Sequence, residues 1–185
     1  LVVWYFPTNF NFLIWNVFLA IVPFDLALWI RATKSTRWLK WGLTAAWLVF
    51  FPNTMYMVTD FSHLSSIGTG LMTETQFFNY AILASGVLMG MLFGMSSAHA
   101  VAIAYFGEKK SLQTLAFYAG LSLLSAFGIY LGRFLRLNSW ELVTDMHGVP
   151  TQVAQAFTTH SLVFVVSFGA LQLAILLMYH VLRKM

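Results

Sequence analysis

The chain has 185 residues, 59% of them hydrophobic and only 9% charged, where a soluble domain carries about a quarter charged residues. So little polar surface cannot cover a water-soluble globule, and the composition specifies an integral membrane protein. The lack of cysteine excludes disulfides and thiolate chemistry, and the net charge of +4 does not imply nucleic acid, because eight of the ten basic residues fall in three short clusters beside apolar runs.

About 20 apolar residues are needed to cross the hydrocarbon core, and five spans are predicted, at roughly 10–30, 41–58, 77–105, 112–132 and 159–182. The expected fold is an all-α polytopic transmembrane helical bundle forming a single domain over 1–185. Arg31, Lys34, Arg37 and Lys40 separate the first two spans, Lys109 and Lys110 the third and fourth, and Arg183 and Lys184 follow the fifth. The positive-inside rule then puts loops 31–40 and 106–111 and the C-terminus in the cytoplasm, and loops 59–76 and 133–158 outside the membrane. The first residues must also lie outside. With no signal peptide to export them, "LVVWYF" reads as the tail of an earlier helix, which makes six spans with both ends inside.

In span one, Asp25 follows Pro23 and is expected to pair with Arg31 or with a neighbouring helix. Span two ends in "FPNTMYMVTDFSHL", 51–64. Taken as a helix beyond a kink at Pro52, it places Asn53, Tyr56, Asp60 and His63 within an arc of about 80°. Such a stripe should face protein or a watery cavity rather than lipid. Tyr56 also suits an interfacial anchor. Span three carries Gly86, Gly90 and Gly94 along one face, the small-residue spacing of close helix packing. His99 and His180 lie toward the inner halves of their spans, where buried structural histidines are expected rather than haem ligands.

The segment "GIYLGRFLRLNSWELVTDMHG", 128–148, holds the other outer polar groups. On a continuous helix Arg133, Arg136 and Trp140 share a face. Asn138 and Glu141 have capping-box-like spacing for a new short helix. Two arginines on the outer side call for a partner. They can pair with Asp60 and Glu141, or they can bind an anion such as a lipid phosphate or a substrate carboxylate. Asp60 and His63, with His147 or His160, also offer the oxygen and imidazole ligands that zinc or manganese takes. One D-x-x-H pair arises easily by chance, and no HExxH accompanies it.

Three stretches, "WNVFLAIVPFDLA" at 15–27, "FFPNTMYMVTDFSHL" at 50–64 and "GIYLGRFLRLNSWELV" at 128–143, resemble bacterial membrane proteins grouped as domain of unknown function 1361. The likeness spans most of the chain. It implies site residues at Asn53, Tyr56, Asp60, His63, Arg133, Arg136, Asn138, Ser139 and Trp140, and a further helix before residue 1. The chain departs from the family at Thr54-Met55, where Ala-Pro is usual, and at Phe78-Asn79-Tyr80, where Trp-Tyr-Asp is common.

The expected function is binding of a small anionic or lipid headgroup ligand at the outer mouth, as an accessory or transport-related protein, with membrane lipids or a membrane-protein partner. Two alternatives stand beside it. One is an extracytoplasmic, metal-dependent hydrolase or transferase acting on envelope lipids, and the other is a purely structural partner subunit. No Walker loop, GxSxG elbow, dinucleotide fingerprint or nucleic-acid module is present.

Overall fold

The structure is a computed structural model that describes residues 10–33, 36–108, 111–136, 153–183 and 185. Its long elements are α1 (Phe12–Ala32), α2 (Arg37–Phe50), α5 (Glu74–Phe106), α6 (Ser111–Phe134) and α7 (Thr159–Leu182). Between α2 and α5 lie α3 (Pro52–Tyr56), a 3-10 helix (Met57–His63) and the single turn α4 (Leu64–Ile67). Four helices, α1, α5, α6 and α7, are long and apolar enough to cross a bilayer. The second predicted span is not one helix but two α pieces and a 3-10 turn, which is why it falls outside that count.

Local chemistry explains the break. Pro52 has no N–H to return to the preceding turn, so the ladder loses a bond there. Side chains then draw the chain tighter. Thr54 and Thr59 donate to the carbonyls of Phe51 (2.8 Å) and Tyr56 (2.7 Å), each three residues back. The His63 Nδ1 stands 3.2 Å from the Asp60 carbonyl, and Ser66 donates to His63 at 2.7 Å, with the same spacing. A run of three-back contacts of this kind favours 3-10 geometry.

Helix α5 starts at a capping box, in which the Thr73 hydroxyl accepts from the Gln76 N–H (3.3 Å) and Gln76 Oε1 accepts from Thr73 N–H (3.1 Å). Thr158 and Ser161 cap α7 in the same way.

The bundle consists of two pairs, α1 on α5 and α6 on α7, with the broken segment wedged between them. The glycine face of α5 makes room for it. A methyl group at Gly90 would lie 2.9 Å from the Thr54 carbonyl oxygen, and one at Gly94 2.9 Å from Met55 Cε. Across the wedge, a methyl at Gly128 of α6 would lie 2.8 Å from Pro52 Cγ. Trp47, Phe51 and Met55 are fully buried in the resulting core, and Trp47 Nε1 donates to Ser97 Oγ of α5 at 2.7 Å.

At the end of the bundle where α2 begins, Lys40 donates to the Ala104 carbonyl at 2.9 Å and sits over the Tyr105 ring. Exposed Trp38 and Trp41 flank it, as expected for aromatic and basic anchors at a membrane interface.

Candidate functional site

The 3-10 helix positions the polar groups at the other end of the bundle. Asp60 is only 2% exposed, and Asn16 of α1 donates to its carboxylate at 3.0 Å. Burial pushes the Asp60 carboxyl above the ordinary carboxylate range. The Asn16 hydrogen bond and the charges of His63 and Arg133 act in the opposite sense without offsetting it. Arg133, in the last turn of α6, reaches across to the residues that flank Asp60. It donates to Thr59 Oγ1 at 3.0 Å and to Ser62 Oγ at 2.8 Å.

The expected pairing of Arg133 with Asp60 therefore takes another form. The arginine is held by two neutral hydroxyls, and the aspartate is held by a carboxamide. His63 turns its ring against Phe12, with centroids 5.0 Å apart. Asn53 and Tyr56 are half-buried on α3, one turn before the 3-10 helix. The expected single α-helical stripe is thus divided by the change of pitch at Met57, which buries Asp60 and leaves His63 half-buried.

Arg133 and Arg136 do not share a continuous helix, because α6 ends at Phe134 and Arg136 takes a left-handed backbone with φ of 57°. Its side chain is exposed. Asn138, Ser139, Trp140, Glu141, Asp145 and His147 lie outside the described residues. His160 is exposed at the start of α7, where its Nδ1 stands 3.3 Å from the Tyr130 hydroxyl and its ring meets Phe134. Among the described residues, no three His, Asp or Glu side chains stand together to hold a metal ion. Asp25 is exposed on α1 rather than turned into the bundle. Asn79 is buried in α5.

Three neighbours of the candidate site were not singled out from sequence. Asn16 is a lone carboxamide in an apolar run, and that isolation was its only signal. Thr59 and Ser62 looked like ordinary helix hydroxyls, which usually satisfy themselves on their own backbone. Also unforeseen is a row of buried polar side chains, Tyr118, Ser122 and Ser125 on α6 and Gln172 on α7.

Long apolar helices, close glycine packing and a polar cluster at one end define a helical membrane protein. Residues 15–175 match the family described as "Protein of unknown function (DUF1361)", and the chain belongs to that family. No curated protein and no solved structure matches it.

Proposed function

We propose that the chain is a bacterial plasma-membrane protein that binds a small anionic or lipid headgroup ligand at its outer mouth, as an accessory or transport-related protein. The observation that carries this reading is the setting of Arg133. Its guanidinium is half-buried and fixed by the neutral hydroxyls of Thr59 and Ser62. A cation positioned by neutral oxygens keeps its charge for an anion, and its planar fork suits phosphate or carboxylate oxygens. Arg136, two residues beyond the end of α6, has an exposed side chain that adds a second guanidinium near this end of the bundle.

Topology supports the same reading. Helices α2 and α3 with Phe51 supply about 20 helical residues, or about 30 Å, which is enough to cross the hydrocarbon core. With this fifth span, the Asp60–Arg133 end faces outward and the Arg31 and Lys40 end faces the cytoplasm.

A structural reading is favoured by the directions of the bonds. Asn16–Asp60 ties α1 to the 3-10 helix, and Arg133–Thr59/Ser62 ties α6 to it.

One experiment separates the two readings. Delipidated wild type and Arg133→Gln are titrated with short-chain phosphatidylglycerol and with phosphatidylcholine, and their melting temperatures are recorded. The ligand site requires a preference for the anionic lipid that falls about tenfold or more in the variant. A lower melting temperature in the variant, with lipid binding unchanged, would leave only the structural role.

A further inference from the structure

At the end of the bundle opposite Asp60, the last turns of α1, α5 and α7 and the first turn of α6 border a cavity of about 320 Å3. Its floor is buried, with Thr114 5% and His180 8% exposed. Its rim is exposed and charged. Arg31 comes from the last turn of α1, Arg183 follows the end of α7, and Glu108 lies in the turn after α5. His99 of α5 also lines the cavity, and its buried Nδ1 has no hydrogen-bond partner among the described residues.

Two fixed guanidinium charges outweigh one carboxylate, so the cavity is cationic. Basic residues near helix C-termini also complement the helix dipoles, which explains arginines at these ends. It does not explain the cavity between them. The cavity opens at its charged rim, so a polar solute can enter it. The two histidines and Glu108 do not make a metal centre, because no trio of such side chains is close enough among the described residues.

We infer that this cavity is an anion site for a phosphate group, presented either as free phosphate or as the headgroup of a phosphorylated lipid. Arg31 from α1 and Arg183 beyond α7 both line the cavity, and each guanidinium can hold two phosphate oxygens. The His99 ring forms part of the wall. The volume is at the lower end of the range for small-ligand pockets. At about 30 Å3 per water, it admits a phosphate with several waters or with the glycerol of a headgroup. The site stands independently of the Arg133 cluster, with which it shares no residue.

The test uses the full chain, delipidated in a neutral detergent. Wild type, Arg31→Gln/Arg183→Gln, Arg183→Gln alone and Arg133→Gln are titrated calorimetrically with inorganic phosphate, short-chain phosphatidic acid and short-chain phosphatidylcholine. Wild type is expected to bind phosphate, phosphatidic acid or both, and Arg133→Gln, whatever it loses at the outer cluster, should retain the share of binding that Arg183→Gln loses. Arg183→Gln should weaken that binding about tenfold, and the double variant more. Binding of inorganic phosphate identifies a soluble anion, whereas binding of phosphatidic acid alone identifies a lipid headgroup. Both rim arginines are exposed, so the variants should elute and melt as wild type does. Arg183→Gln decides the matter if the double variant does not fold. The inference is overturned if wild type binds neither phosphate probe, if Arg183→Gln binds as tightly as wild type, or if phosphatidylcholine binds equally well.

Discussion

Asp60 has an ionised form that burial disfavours. Its carboxyl is held above the ordinary value of 3.8, chiefly by desolvation. The folded chain therefore binds that proton more tightly than the unfolded chain. The Asp60 contribution to stability is complete below the ordinary value and is lost as pH rises through the raised folded value. Asp60→Asn preserves a polar partner for Asn16 and removes the titration. Its melting temperature should fall less than that of wild type between about pH 4 and pH 8. Parallel curves would show that Asp60 is not held in this way. Asp60, His63 and Arg133 were legible in the sequence because charged or imidazole groups beside apolar runs stand out. Asn16 was not, because its partner lies 44 residues away and no local spacing links the two.

The broken segment is the element on which the bundle turns. Its five-residue α3 touches α1, α5 and α6, and Gly90 and Gly94 of α5 and Gly128 of α6 leave it room to do so. Gly90→Ala should cost about 1–3 kcal/mol, since its methyl group meets a backbone carbonyl that cannot swing aside. Gly120→Ala in α6 meets nothing within 4 Å and should be neutral or gain up to about 1 kcal/mol from helix propensity. Thermal unfolding in detergent measures both, and equal effects would remove the close-packing explanation. Pro52 announced the break in the sequence, and the glycine spacing announced a close contact. The tightening to 3-10 geometry was hidden, because it depends on which carbonyl each hydroxyl chooses. That choice is made only once the chain is folded.

At the scale of the whole molecule, the bundle has two polar ends separated by lipid-facing surface. Trp15, Phe18 and Trp29 are exposed on α1, as are Leu162, Val163 and Val166 on α7, and this apolar surface suits contact with acyl chains. Four of the apolar runs correspond to long helices whose ends lie within about three residues of the expected ones, because length and hydropathy settle them. The crossing of the second segment was less legible, since a helix interrupted at Pro52 is shorter than the bilayer unless its pieces act together. Whether they do decides both the topology and the sidedness of the Arg133 cluster. The chain has no native cysteine, so single cysteines can be placed at Thr36, before α2, and at Ser65, just past the 3-10 helix. Both positions are exposed. Labelling of intact cells with a membrane-impermeant maleimide should modify Ser65→Cys, and should modify Thr36→Cys only after the membrane is opened. Labelling of both from the same side would mean that the broken segment does not cross, and would contradict the account.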